Sequence, residues 1–221
     1  MPNHCSNCLL VGASDDYRGE LDAFHALVST PVEKTHTNIH GETTTALVEG
    51  IAMCDNILPC PKELSANSTL DEHPENIAKY GFSGWYDWCN FNWGTKWGDY
   101  DTDCIHEWGT PNLRAYRYTT AWNPMTRAIQ QFSKKFPNLV FVNTFEEGGC
   151  AILGAECAIN GELFEAEDQY PEVNWDEDEP GFEKVGEAQV ACVRSVLDSA
   201  LDNTDISFDE TIFDPFFRGM A

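Results

Sequence analysis

The stretch LRAYRYTTAWNPMTRAIQQFSKKFPNLVFVNTFEE, residues 113–147, contains two strand patterns on either side of one helix pattern. Its first ten residues alternate in the way that is typical of a half-buried strand. The alternation places on one face Tyr116, Tyr118, Thr120 and Trp122. A helix follows, with Pro124 just inside its start, where proline is tolerated. The apolar stripe of this helix consists of Met125, Ile129, Phe132 and Phe136. The stretch therefore predicts a β-α-β unit.

Working outward, the flanking sequence repeats this alternation of strands and helices. CSNCLLVGA (residues 5–13) predicts a strand, and a helix capped by Ser14 follows it. TTTALVEGIAMCDNILP is β-branched and apolar, which predicts a second strand with an irregularity at Gly50. Phe145 to Cys150 predicts a hairpin junction leading into another strand. The order predicts an α+β sandwich: a ferredoxin-like split βαβ fold, with helices on one face of a mostly antiparallel sheet.

A change in composition predicts the organisation of the chain. Between Glu162 and Asp214 there are 17 acidic residues and two basic ones. We therefore expect residues 1–168 to form the ferredoxin-like domain, with a Trp-rich insertion around residues 83–110. Residues 169–221 are expected to be an acidic helical extension that packs on the same domain.

The net charge limits the possible partners. The chain of 221 residues has 37 acidic and 13 basic residues, which gives a formal net charge of −24. Direct binding of nucleic acid is not expected, because that affinity rests on cations that displace counterions. No apolar run approaches the roughly 20 residues that span a bilayer, and residues 1–4 show no signal-peptide pattern. We therefore expect a cytoplasmic protein that does not bind membranes.

The cysteines are the first candidates for chemistry. HCSNC, at residues 4–8, has the spacing of zinc knuckles and redox dithiols. Within a strand, however, Cys5 and Cys8 point to opposite faces and cannot share one metal ion. No catalytic constellation, metal site or cofactor motif stands out, so we expect no enzyme, although a metal-dependent enzyme remains an alternative.

The aromatic block WYDWCNFNWGTKW, residues 85–97, allows two interpretations. It is a stacking platform for a small molecule or a nucleotide, or it is a core plug that covers the open face of the sheet. The possible ligand-binding residues are Trp85, Tyr86, Trp88, Trp93, Lys96 and Trp97.

Several of these stretches together resemble one protein family. They are MPNHCSNCLLVGA, CDNILPCPKEL, WYDWCNFNWGTKW, TTAWNP with the helix after it, KKFPNLVF and GELFEAE. They resemble Api-like proteins with a ferredoxin-like domain, which phages and plasmids encode. The resemblance runs to about Asp168 and implies the fold and a mobile-element origin, but no catalytic residues. Cys8, Cys54 and Cys60 stand where the family usually has other side chains.

The acidic C-terminal region supplies the leading functional hypothesis. Carboxylates on a folded frame can imitate phosphates, because the same Lys and Arg side chains bind both. We therefore expect a phage-encoded inhibitor or decoy that binds a basic nucleic-acid-handling host protein, in a counter-defence role such as anti-CRISPR or anti-restriction. The expected contact residues are Glu165, Glu167, Asp168, Asp176, Glu177, Asp178 and Glu179. The alternatives are a solubilising surface and a ligand-binding module built on the Trp-rich block.

Overall fold

The computed structural model describes residues 3–37, 43–66, 72–171, 181–204 and 208–220. The strands are β1 (His4–Gly12), β2 (Val32–Thr37), β3 (Thr43–Val48), β4 (Tyr100–Cys104), β5 (Leu113–Ala121), β6 (Val140–Glu147), β7 (Ile152–Ile159) and β8 (Glu162–Gln169). The helices are α1 (Arg18–Val28), α2 (Met53–Ile57), α3 (Lys62–Ser65), α4 (Pro74–Tyr80), α5 (Trp85–Asn92), α6 (Thr126–Lys135), α7 (Gly181–Asn203) and α8 (Asp214–Gly219). Short 3-10 turns occupy Asp15–Tyr17, His106–Trp108 and Glu210–Phe213.

Six strands form one sheet in the order β4-β5-β1-β6-β7-β8, and β2 pairs with β3 in a separate ribbon. Every neighbouring pair in the large sheet is antiparallel. Strand β1 lies between β5 and β6, so these two strands run parallel to each other, and α6 connects them. This is a split β-α-β unit, and the predicted α+β ferredoxin-like fold is confirmed. The predicted hairpin between β6 and β7 is present as well.

The sheet has an apolar core on each face. Leu9 and Val11 of β1 pack on the face covered by α1 and α6. Leu10 lies between them in the strand and packs on the other face, with residues of α7 and α8 such as Val193 and Phe216. Helices α1 and α6 thus share one face as expected, but the extension adds α7 on the opposite face. This second layer is needed because both faces of the central strands are apolar.

Two local predictions were wrong, and both errors have a physical cause. Strand β5 ends at Ala121, because Trp122 adopts a φ of 73° and its exposed ring turns out of the sheet. The apolar stretch after β3 begins α2 instead of continuing as a strand. The carboxylate of Asp99 accepts hydrogen bonds from the backbone N–H groups of Met53 (2.9 Å) and Cys54 (2.8 Å). A cap supplied from so far along the chain leaves no mark on the local sequence pattern.

Buried polar side chains connect β5, β6 and β7 on the α6 face, and the first of these contacts passes across β1. The hydroxyl of Tyr118 donates to Oδ1 of Asn143 at 2.8 Å, and Nδ2 of Asn143 donates to Oε1 of Glu156 at 3.0 Å. Oε2 of Glu156 has no hydrogen-bond partner among the described residues. Burial raises the pKa of Glu156 to about 7, against the opposing effect of hydrogen bonds from Thr126 and Asn143. The carboxyl group of Glu156 therefore changes its protonation near neutral pH.

The packing of the C-terminal region predicts that it is part of the folding unit. Phe216 is fully buried in the α7-face core, and we expect Phe216→Ala to lower the free energy of unfolding by about 3–5 kcal/mol. Phe91→Ala removes the same atoms from a ring that is 58% exposed and is expected to cost less than about 1.5 kcal/mol. Urea denaturation of both variants measures the difference. Equal losses of unfolding free energy in the two variants would contradict the burial of Phe216 in this core.

Glu156 predicts a pH-dependent stability. Its folded-state pKa of about 7 lies above the ordinary value of 4.5, so the folded chain binds the proton more tightly than the unfolded chain. The free energy of unfolding should therefore fall by roughly 3 kcal/mol as the pH rises from about 4.5 to about 7. Glu156→Gln should flatten this profile and be more stable than the wild type above pH 7. Urea denaturation across this range, with Glu162→Gln as the exposed control, measures the effect. The prediction is contradicted if the free energy of unfolding of Glu156→Gln depends on pH as steeply as that of the wild type.

Candidate functional site

Three of the predicted contact acids lie together at the edge of the sheet, on a strand that pairs only with β7 in the described part of the chain. Glu165, Glu167 and Asp168 are exposed side chains of β8, the terminal strand, and we call them the acidic edge. They line one side of an open groove of about 660 Å³. The other four predicted acids, residues 176–179, lie outside the described residues.

The groove beside the acidic edge also has apolar and basic parts. Phe145 and Leu163 supply apolar surface, and Arg127 lies on the side formed by α6. The Arg127 guanidinium donates to the backbone oxygen of Phe91 at 3.0 Å and lies 5.2 Å from the centre of that ring. Among the described residues, no acid of β8 forms a salt bridge. The carboxylates of the acidic edge therefore have no cationic partner among the described residues.

Helix α7 continues this excess of negative charge. Its exposed acids are Glu183, Glu187, Asp198 and Asp202. None of them forms a salt bridge within the described ranges. The helix has two basic residues, Lys184 and Arg194, and the guanidinium of Arg194 stacks on Phe217 at 4.4 Å. Elsewhere Arg114 and Arg117 are paired with nearby aspartates, so these two cations are not available to the acids of β8 and α7.

The residues of the Trp-rich block are divided between the core and the surface of the protein. Trp88 and Trp93 are buried and meet edge to face, with their ring centres 5.5 Å apart. Nε1 of Trp93 donates to the backbone oxygen of Leu58 at 2.8 Å, which fixes the ring. Tyr86 is 46% exposed and, like Trp88, does not line the cleft that borders the block. Part of the block is therefore a core plug.

Some residues of the block line a cleft of about 460 Å³. We call it the tryptophan cleft and define it by Lys34, Lys62, Trp85, Trp93, Lys96 and Trp97. These side chains come from β2, α3, α5 and the loop after α5. Of the predicted ligand-binding residues, the fold thus brings together Trp85, Trp93, Lys96 and Trp97. The sequence gave no sign that Lys34 and Lys62 would join them.

The loop that carries Lys96 and Trp97 is held at both ends. Thr95 is buried, and its hydroxyl donates to the backbone oxygen of Ala121 at 2.9 Å. Gly98 has a φ of 68° and packs so closely on Cys54 that a Cβ atom would lie 2.9 Å from the Cys54 Cβ. The buried Asp99 then caps α2. These contacts order the cleft wall before any ligand binds.

The cysteines of HCSNC do not form a site. Cys5 and Cys8 point to opposite faces of β1, as strand alternation predicts, and burial raises the pKa of each thiol to about 12. A different pair lines the tryptophan cleft. The Cys89 thiol donates a hydrogen bond to Cys60, and this bond lowers the pKa of Cys60. The two are far apart in sequence, and only the fold shows that they meet.

Metal-ligand clusters and membrane-spanning helices are both absent from the described ranges. These ranges contain no group of three or more His, Cys, Asp or Glu side chains arranged to hold a metal ion. None of the helices within them has the length and apolar character needed to cross a bilayer.

The central part of the chain is similar to one protein family. Residues 92–188 match the family model for the ferredoxin-like domain in Api92-like protein, from the end of α5 through β8 into α7. The chain is similar to the crystal structure of protein api92 from Yersinia pseudotuberculosis. The similar region covers 79% of this chain and 100% of the api92 chain, with 11% sequence identity and a TM-score of 0.41. No curated protein matches the chain. Residues 92–188 thus resemble the ferredoxin-like domain of Api92-like proteins, and the split β-α-β sheet is the fold that this match implies.

Proposed function

We propose that this protein is an acidic inhibitor that binds a basic, nucleic-acid-handling protein of its host cell through the acidic edge. The observation that carries the proposal is that Glu165, Glu167 and Asp168 are exposed on the terminal strand and form no salt bridge within the described residues. Unpaired carboxylates at this position are available to the cations of a partner.

The chemistry of such a partner follows from the carboxylates. Arginine forks bind carboxylate and phosphate groups in similar geometries, so a groove that holds a nucleic-acid backbone can also accept an ordered row of acids. The net charge of −24 would attract a basic protein over a long range and speed its encounter. The chain would thus occupy the nucleic-acid site of its partner.

The free edge of β8 offers a second kind of contact. A terminal strand leaves backbone N–H and C=O groups unpaired along one side, and an extended segment of another protein can pair with them. A basic segment would also meet the acids that flank these groups. Backbone pairing would fix the register of the segment, and the acids would select its charge.

The resemblance to phage- and plasmid-encoded proteins suggests a use for this binding. A mobile element benefits when a restriction or CRISPR nuclease of the host is blocked. We therefore propose a counter-defence role in the host cytoplasm, which requires neither catalysis nor a cofactor.

A simpler explanation is that the charged edge keeps two copies of the sheet from pairing edge to edge. Both explanations place acids on β8, but they differ in what happens when the acids are neutralised. Loss of a partner supports inhibition, whereas aggregation with unchanged partner binding supports protection of the edge.

The proposal predicts a specific loss of binding in the triple variant Glu165→Gln, Glu167→Gln, Asp168→Asn. The wild type, immobilised and exposed to a nuclease-treated bacterial lysate, should retain basic nucleic-acid-binding proteins at low salt and release them near 0.5 M salt, where charge interactions are screened. The triple variant should retain less than about a tenth as much. Mass spectrometry of the eluted proteins measures this. Added DNA or RNA should compete with the wild type for the captured protein.

A matched control variant removes the same charge elsewhere. Asp16→Asn, Glu107→Gln and Glu210→Gln neutralise three exposed acids outside β8, and this variant should bind like the wild type. The proposal is wrong if both triple variants lose binding equally. It is also wrong if the captured protein stays bound at high salt or is indifferent to nucleic acid.

A further inference from the structure

The tryptophan cleft concentrates positive charge in a strongly acidic chain. Three of the seven lysines line it: Lys34, Lys62 and Lys96. They come from three separate segments of the chain, so their proximity results from the fold and not from a basic run in the sequence. This concentration of cations points to an anionic ligand.

Two acids of the described residues line the cleft, and one of them is already paired. Asp55 forms a salt bridge with Lys34, and although burial opposes it, this carboxylate raises the pKa of Lys34. Lys62 and Lys96 form no ion pair within the described residues. Glu33 is the other acid of the lining. Two ammonium groups therefore remain available for an anion.

The aromatic part of the cleft favours a planar ligand. Trp97 is 43% exposed, and the Lys96 ammonium lies 4.0 Å from the centre of its ring. Trp85 is half-buried and lines the same cleft. Indole faces stack on nucleobases with a favourable energy of about 1–3 kcal/mol per base. A cation beside an exposed indole is thus suited to a ligand with an aromatic ring and a negative group near it.

The size and order of the cleft are consistent with a small molecule. Its volume of about 460 Å³ lies within the range of roughly 300–1,000 Å³ that is typical of ligand pockets. Thr95 and Asp99 hold the loop that carries Lys96 and Trp97. Because the loop is already ordered, ligand binding costs little conformational entropy there, and this favours affinity.

We propose that the tryptophan cleft binds a nucleoside monophosphate, with the base against the exposed indole surfaces of Trp85 and Trp97 and the phosphate held by Lys62 and Lys96. This goes beyond the inhibitor function and does not depend on it. The repulsion between the phosphate and distant acids is screened over about 8 Å at physiological ionic strength, so the lysines of the cleft dominate locally.

Titration of the full-length protein with AMP, GMP, UMP and CMP tests the proposal. Tryptophan fluorescence should change with saturation for at least one nucleotide. Adenosine and inorganic phosphate should each bind at least about tenfold more weakly, because each makes half of the contacts. Indole-3-carboxylate distinguishes an aromatic carboxylate from a nucleotide. Its binding without any nucleotide binding would overturn the proposal.

Matched variants locate the site. Lys96→Ala should weaken nucleotide binding about tenfold, whereas Lys184→Ala, which removes an exposed lysine of α7, should leave it unchanged. Trp97→Ala should weaken binding similarly, with Trp122→Ala as the control at a comparably exposed tryptophan outside the cleft lining. Circular dichroism confirms that each variant is folded. Equal effects of a variant and its control would overturn the proposal, as would the lack of saturation with every nucleotide.

Thiol protection provides an independent readout on the unmodified chain. Cys60 lines the cleft and is partly accessible, whereas Cys150 is exposed and lies outside the cleft lining. A saturating nucleotide should slow the alkylation of Cys60 by iodoacetamide at least fivefold, in proportion to occupancy, and leave that of Cys150 unchanged. Peptide mapping by mass spectrometry measures both rates. A nucleotide that changes the fluorescence but leaves the alkylation rate of Cys60 unchanged would contradict this expectation. That result would show that the ligand binds outside the cleft and would overturn the proposal.

Discussion

The position of β1 between β5 and β6 is the constraint on which the rest of the structure depends. This strand makes hydrogen bonds to two neighbours, and side chains on both of its faces are buried. It separates two parallel strands by two strand spacings, about 10 Å, so the chain between β5 and β6 must cross a face of the sheet. Helix α6 makes that crossing. Because Leu10 points to the other face, a second layer must cover that face, and α7 supplies it.

Most of this architecture could be predicted from the spacing of apolar residues along the sequence. Alternation in β5 and the apolar stripe of α6 were sufficient to predict the split β-α-β unit and hence the fold class. The errors arose where a distant residue or an unusual backbone angle determined the local structure. The carboxylate of Asp99 caps α2 from 46 residues away, and the positive φ of Trp122 ends β5 early. Neither has a signature within a window of a few residues.

The candidate sites were predictable only in part, for the same reason. The aromatic block was visible as a pattern, but the pattern could not separate the buried Trp88 from the exposed Trp97. The lysines of the cleft are spread over 63 positions, from Lys34 to Lys96, and no local pattern joins them. Likewise, the acidic run was visible, but the free edge that exposes Glu165 follows from the order of the six strands.

The two surfaces would respond differently to salt, since they combine long-range and short-range charges in different ways. A basic protein at the acidic edge is attracted by nearby carboxylates and by the net charge of −24, so added salt weakens both attractions. A small anion in the tryptophan cleft is attracted by nearby lysines but repelled by the chain as a whole. Salt screens this repulsion as well as the attraction, and the two changes partly cancel. Binding at the cleft should therefore depend less on salt than binding at the acidic edge, although both sites lie on one chain.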